Sequence, residues 1–541
     1  MNFLRNKKWD LLFLFLLLFI SWFYGYHKIL LMRPYSIHQW RQADCLSYAI
    51  NYYREGMHFF SPSVHWCGGQ GDGMTVSEFP IIYYTVALLW KVFGYHEFIF
   101  RLLDITIVYA GLFCLYRICM DVLKDKVWAM LVPLYLFSSP ILAFYGFNFL
   151  ADVPGMSLAF IGWYFFWRFY QTGRPRFLMG CMFFFLLGGL IKITALLSFV
   201  PLVLIFLLEI FQLYRFKKEG ALFRRTAAHV APFVLLFTAT VAWYGFAIHY
   251  NSQHNSGLFS TNILPIWKLN AAHRQVIYFR LYNELLPQFF NKAGFMFLVI
   301  LLLGILVSWK KVHPFLRLLT AVVLLGVVAY LVLWFQVFNV HDYYLCNLLV
   351  IVPVILLTFL FFLKEHYPDI FRSVKLKSLA AVVVIISLYS CAMQMRVKYD
   401  IHDRFDMTRH TVMLDSKEKE IWDWYHWDYS NHFRALETIT PYLRSLGIQR
   451  TDKVISMPDK SINISLVLMD QKGNSDFGYQ DQPGDARMFE LMGRGAKYLI
   501  VNDPNTLTQA YLQPFLQYKM GQYKNVSIYD LRKIPVPPVK E

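Results

Sequence analysis

Charge is scarce in this chain: Asp, Glu, Lys and Arg make up 16% of its 541 residues, against 57% apolar and 18% aromatic residues. That scarcity excludes a single soluble core, which cannot bury so much apolar surface. Acids are the rarer sign, 35 against 52 basic residues, for a formal charge of +17. Nucleic-acid binding would need that excess gathered into patches. Here it lies in short loops between apolar runs, the pattern of a chain whose partner is a lipid bilayer and not nucleic acid. The seven cysteines show no metal-ligand spacing. Cys114, Cys119, Cys181, Cys346 and Cys391 fall in or beside apolar runs, where a thiol behaves as a small apolar group. For Cys45 and Cys67, in a polar segment, a disulfide and two free thiols are both open readings. An internal repeat, a low-complexity tract and a glycine-rich phosphate loop are also missing from the sequence.

What the chain does have is apolar runs long enough to cross a bilayer as helices, which takes about 20 residues each. About eleven are expected, near 10–32, 99–122, 127–147, 153–170, 177–190, 191–214, 227–250, 292–308, 315–338, 345–363 and 378–395. The first is too long for a removed signal peptide and lacks a small-residue cleavage site, so it reads as an anchor. Basic residues mark alternate loops: Lys124 and Lys126, Arg174 and Arg176, Arg215 to Arg225, Lys310 to Arg317, Lys364 to Lys377. Those loops and the amino terminus, with Arg5, Lys7 and Lys8, are assigned to the cytoplasm. Residues 33–98, 149–152, 188–192, 251–291, 339–344 and everything after 396 then face outward. The pair of spans meeting near Gly188 reads equally as one buried hairpin, and losing a span there inverts the downstream half.

The expected architecture is a polytopic α-helical membrane module over 1–395, with juxtamembrane helices in its first outer loop. A Trp- and Tyr-rich interfacial linker over 396–430 and a small extracytoplasmic α/β domain over 431–541 follow. In the latter, strands are expected at 453–457, 497–501 and 525–530 and helices at 433–446, 485–492 and 507–518.

The outer face carries three acids: Asp44, Glu78 and Asp152. Each has a bland explanation. Asp44 pairs with Arg41 three residues earlier, Asp152 caps a helix beginning at Val153, and Glu78 caps one after Pro80. Half-desolvated carboxylates at a membrane face are nonetheless costly, and structural and functional readings of the trio stand level on pattern alone.

The order of these residues resembles the GT-C superfamily of membrane glycosyltransferases, in the branch of the protein O-mannosyltransferases and the bacterial aminoarabinose transferases of lipid A. The motifs are Asp44 in the first outer loop, Glu78 with Pro80 before an apolar helix, Arg101-Leu102 opening the next span, and Asp152 with Pro154 two spans later. Gly189-Leu190-Ile191-Lys192 and His341-Asp342-Tyr343-Tyr344 follow. Phe79 stands where the aminoarabinose transferases have Lys, so phosphate binding is not carried over there.

The resemblance implies a GT-C fold and transfer of a sugar from a dolichyl- or undecaprenyl-phosphate donor to a hydroxyl of a glycolipid, polysaccharide or protein, at the outer face of a bacterial inner membrane. Because phosphate leaves as a stable anion, one base suffices, Asp44, and a single displacement inverts the anomeric centre. Lys192 is the first choice for the donor phosphate, since a lysine at the end of an apolar helix needs an anion. Arg41, Arg274, His341 and Tyr344 are further choices, with Tyr343 and Tyr344 equally readable as interfacial anchors. Glu78 and Asp152 orient the acceptor or the base, or raise the Asp44 carboxyl by like-charge repulsion. No cofactor is expected, a divalent cation held by the acids being the alternative. The loop 251–291 is long enough to cover the site. Competing readings are an O-antigen ligase or polymerase and a transporter or flippase of lipid-linked sugars.

Overall fold

The computed structural model describes residues 7–68, 71–217, 220–258, 263–402, 407–478 and 484–536. Arg5, Lys218 and part of the expected linker, 403–406, lie outside the described residues.

In chain order the helices that position the site are α1 (Lys7–Phe23), α2 (Gln39–Glu55), α3 (Ile81–Phe93), α4 (Phe98–Leu123), α5 (Lys126–Phe137), α6 (Asp152–Thr172), α7 (Pro175–Ile191), α8 (Val200–Ile210), α9 (Ala227–Gln253), α10 (Ala271–Arg280), α11 (Lys292–Val307), α12 (Pro314–Leu333), α13 (Ile351–His366), α14 (Val374–Lys398) and α15 (Ser416–His432). Each expected span overlaps helix, several of them only in part. Among the described residues, five helical stretches are long and apolar enough to cross a membrane: α4, α9, α12, Asp342–His366 and α14. A sixth is counted if Ala271–Phe289 and α11, bent by 91° at their junction, make one span.

Several expected spans are interrupted for local reasons. The 10–32 run stops at Phe23 and turns at Gly25, whose φ of 89° belongs to the left-handed region. The 127–147 run carries Pro133 inside α5 and restarts at Pro140 after Ser138 and Ser139, because proline donates no helical hydrogen bond. Between 177 and 214 the chain breaks at Lys192, which is extended, passes through a 3-10 turn Ile193–Ser198 and resumes as α8.

The carboxy-terminal region holds β1 (Lys453–Met457), α16 (Ile464–Leu468), β2 (Gly473–Asn474), α17 (Asp485–Gly493), β3 (Ala496–Val501), β4 (Lys519–Tyr523) and β5 (Val526–Asp530). Its sheet order is β2-β1-β3-β5-β4, parallel on the β2-β1-β3 side and antiparallel beyond β3. Strand alternation divides its apolar residues. Val454, Tyr498, Ile500 and Ile528 join the main core that runs into the helical bundle, while Ile455, Leu499, Val501 and Tyr529 pack against Met488 and Leu491 of α17. The sheet is therefore covered on both faces and continuous with the membrane module on one.

First-loop residues extend that sheet. The N–H of Cys67 donates to Gly473 O at 2.6 Å, the N–H of Gly473 donates to His65 O at 3.1 Å, and Trp66 pairs in parallel with Gly473. Only glycine fits at 473, since a Cβ there would lie 2.1 Å from Val454 O. The expected linker contains α15, which begins at a capping box on Asp415 and Glu418 and runs past the expected boundary at 430.

Candidate active site

Three strands of chemistry meet at one end of the bundle. The first is built on α2. Asp44 is fully buried, and its Oδ1 accepts from Asn463 Nδ2 at 2.8 Å, a residue just ahead of α16 in the carboxy-terminal domain. Its Oδ2 is buried with no hydrogen-bond partner among the described residues. Burial pushes the Asp44 carboxyl up to about 7, against the opposing effects of the Arg41 charge and the Asn463 hydrogen bond.

The second pairs α2 with the loop before α3. Arg41 Nη2 donates to both oxygens of Glu78 at 2.8 Å, and the Tyr83 hydroxyl donates to Glu78 as well. Burial would raise the Glu78 carboxyl, but the Arg41 charge, then Lys192 and the hydrogen bond of Tyr83, hold it down at about 2. Glu78 is thus a fixed anion. Arg41 is ion-paired with Glu78, so the alternative reading of an i,i+3 ion pair with Asp44 finds no ion pair among the described residues, although the Arg41 charge still favours the Asp44 anion.

The third joins α6 to the end of α7. Lys192 Nζ lies 2.8 Å from Asp152 Oδ1 and 4.9 Å from the centre of the Tyr344 ring. Close helix packing makes this pair. A Cβ on Gly188 of α7 would sit 2.9 Å from Gly155 O of α6, so the small residues let the two backbones approach and bring Asp152 and Lys192 together. Asp152 is the first residue of α6, and its side chain caps nothing. Glu78 likewise is no cap, since α3 starts after Pro80 without a side-chain cap.

Backbone ties fix the loop between these pairs. The N–H of Phe79 donates to Leu190 O at 3.1 Å, two residues from Lys192, and the side-chain amide of Asn251 on α9 exchanges two 2.8 Å bonds with the backbone of Val76. The Phe79 ring packs edge-on against Trp243, an apolar contact where the resembling transferases carry a lysine. Arg101 donates to the carbonyls of Phe147, Met32 and Arg33, tying three segments together.

Beside Lys192, the His341 ring packs at tilted angles against Trp40, Tyr343 and Tyr344, and burial lowers its imidazole to about 4. Its neighbour Asp342 is 3.0 Å from His38 Nε2 and accepts from Tyr145. Arg274, on α10, makes no hydrogen bond or ion pair to this group among the described residues. Cys45 and Cys67 are both free thiols, buried apart from each other's chemistry: Cys45 Sγ faces Glu78 at 3.9 Å and Cys67 Sγ donates to His65 O.

The acids do not converge as a ligand set for a metal. Glu78 is committed to Arg41, Asp152 to Lys192 and Asp44 to Asn463, and no group of three His, Cys, Asp or Glu side chains has metal-holding geometry among the described residues.

Residues 77–244 match the family described as dolichyl-phosphate-mannose-protein mannosyltransferase, a segment that includes Glu78, Asp152 and Lys192. The whole chain superposes on ArnT from Cupriavidus metallidurans bound to undecaprenyl phosphate, with a TM-score of 0.59 at 11% identity over 97% of this chain and 98% of that one. The chain has the GT-C fold. The apo form of the same ArnT matches it at a TM-score of 0.56, again at 11% identity over 97% of this chain and 98% of that one. No curated protein matches the sequence. The GT-C fold, the apolar helices and the small carboxy-terminal sheet thus agree with the architecture expected from the sequence.

Sequence reasoning brought Asp44, Glu78, Asp152, Lys192, Arg41 and Tyr344 to one end of the bundle. It missed Asn463. A lone Asn ahead of a short apolar helix carries no local signal; its role depends on a residue 419 positions away.

Proposed function

We propose that this GT-C chain transfers a sugar from a polyprenyl-phosphate donor to an acceptor hydroxyl at the outer face of a bacterial inner membrane, with Asp44 as general base. The observation that carries the reading is the contrast among the acids. Glu78 and Asp152 each face a cation at 2.8 Å, whereas Asp44 is buried with no ion pair among the described residues and is held only by the Asn463 amide on one oxygen. A carboxylate with an ionisation near 7 is suited to accept a proton near neutral pH.

In the step proposed, the acceptor oxygen bonds to the anomeric carbon as the bond from that carbon to the phosphate oxygen breaks. The hydroxyl proton passes to Asp44, and the electron pair of the broken bond leaves with the polyprenyl phosphate. One displacement inverts the anomeric configuration. Lys192 is ion-paired with Asp152, its ammonium carries three N–H donors, which gives it capacity for a phosphate as well, and Tyr344 and His341 line the same end. Arg41 supports the site by holding Glu78 and adds positive charge near the leaving group. Arg274 stands on the neighbouring segment 251–291, which would close over a bound donor and exclude water.

Purified full-length protein in detergent, given polyprenyl-phosphate sugars and a panel of glycolipid, polysaccharide and peptide hydroxyl acceptors, is expected to release polyprenyl phosphate only when an acceptor is present. Release independent of acceptor, or none with any pair, would overturn the reading.

A further inference from the structure

The candidate base is finished by a domain that is remote in sequence. Asn463 is fully buried and bonded on both ends of its amide: Nδ2 donates to Asp44 Oδ1 at 2.8 Å, and Oδ1 accepts from the N–H of Trp66 at 2.9 Å. The second bond fixes the amide orientation, because the end facing a backbone N–H must be the oxygen, leaving the NH2 for Asp44. That anchor is reinforced. The loop ladder between residues 65–67 and Gly473 runs beside it, Arg450 spans from the carboxy-terminal domain to Glu55 and to Asn51 at 2.7 Å, and Lys472 reaches Val64 O at 3.2 Å. On the domain's own side, Asp459 accepts from the N–H groups of Ser461 and Ser465, which frames the turn that presents Asn463.

We infer that Asn463 is a positioning residue for the transfer reaction: the carboxy-terminal domain donates one hydrogen bond that orients the Asp44 carboxylate and favours its ionised form, leaving Oδ2 as the proton-accepting oxygen. The inference rests on Asp44 being the base. Its physical basis is that a buried carboxylate without an ion pair depends on hydrogen bonds to stay charged. The groups facing Asp44 are few. Arg41 on its own helix favours the anion, Glu78 from the loop and Asp459 from the carboxy-terminal domain oppose it, and Cys45, Tyr48 and Tyr343 are neutral neighbours near pH 7. Asn463 is the one side chain that donates a hydrogen bond to Asp44 among the described residues. The carboxy-terminal domain is then part of the active site and not only a cover for it.

Two variants of the full chain separate positioning from anchoring. Asn463→Ala removes both bonds. Asn463→Asp keeps an oxygen for the Trp66 N–H, has nearly the same shape, and sets a second carboxyl against Asp44. The readout is the pH profile of polyprenyl phosphate release, alongside thermal unfolding. In Asn463→Ala the anion loses its donor, so the acid limb moves to higher pH by about half a unit to one unit, and turnover falls several-fold more at pH 6 than at pH 9. In Asn463→Asp, with thermal unfolding close to that of the wild type, the limb moves further in the same direction, since two adjacent carboxyls resist sharing negative charge.

Superimposable profiles in both variants, or a loss equal at every pH, would overturn the inference. The underlying reading is tested separately by Asp44→Asn. If that variant is fully active, the base assignment fails. If it is inactive while both Asn463 profiles coincide with the wild type, only the role of Asn463 fails.

Discussion

The two halves of the candidate site neutralise their acids by different means. On the side made by α6, α7 and the loop before α3, Asp152 and Glu78 each face a cation at 2.8 Å, so those carboxylates are spent on holding helices and loop together. On the side made by α2 and the carboxy-terminal domain, Asp44 faces an amide. An ion pair in a buried site locks a carboxylate in its charged form, whereas an amide leaves it able to take a proton. The difference teaches that burial alone does not mark a base; the kind of partner does.

The largest break in this comparison comes from removing a cation. Arg41→Met leaves Glu78 buried without its counter-charge, and Lys192→Met does the same to Asp152. Each is expected to lower stability by about 3–5 kcal/mol, read from unfolding in detergent. The sign with pH follows from the lowered Glu78 carboxyl. In the wild type its contribution is present above the unfolded value of about 4.3 and is lost as the pH falls through about 2.

A smaller effect is expected at the packing that sets the α6–α7 pair. Gly188→Ala forces a Cβ against Gly155 O, a backbone atom with little freedom to move. A destabilisation of about 1–3 kcal/mol should follow, with turnover falling because Lys192 and Asp152 are displaced together.

The Asp44 side responds to pH and not to large stability changes. Because burial raises this carboxyl to about 7, turnover is expected to rise between pH 6 and pH 8 as the base form fills. A flat profile across that range would remove the functional distinction between the two sides. Least of all is expected from reductant, since Cys45 and Cys67 are unbonded: turnover and unfolding should be unchanged by dithiothreitol.

How much of this could be read from the sequence follows from distance along the chain. Apolar runs report burial locally, so the helices fell where expected. Their interruptions at Pro133, Pro140 and Lys192 are single-residue events that a hydropathy average smooths over. In the carboxy-terminal domain, β1, β3 and β5 have the branched apolar alternation of strands. β4, Lys519–Tyr523, contains Gly521 and little apolar content, and is a strand because β5 pairs with it. The expected helix at 507–518 is two 3-10 turns, with Pro514 inside the second. The expected helix at 433–446 is split before Pro441 into a 3-10 turn and α-helix Thr440–Ser445.

Among the candidate site residues, those on neighbouring outer loops were brought together by topology alone. Which cation meets which acid was not legible, because Arg41 chose Glu78, 37 positions away, over Asp44 beside it. Asn463 was beyond reach for the same reason on a larger scale.

The central claim is that Asp44 is the acid left free to take a proton. The direct measurement is turnover of purified full-length Asp44→Asn at pH 8, with polyprenyl-phosphate sugar and acceptor, beside the wild type and with unfolding checked for both. The account predicts a loss of about a hundredfold or more in a protein that still folds; turnover equal to the wild type would contradict it.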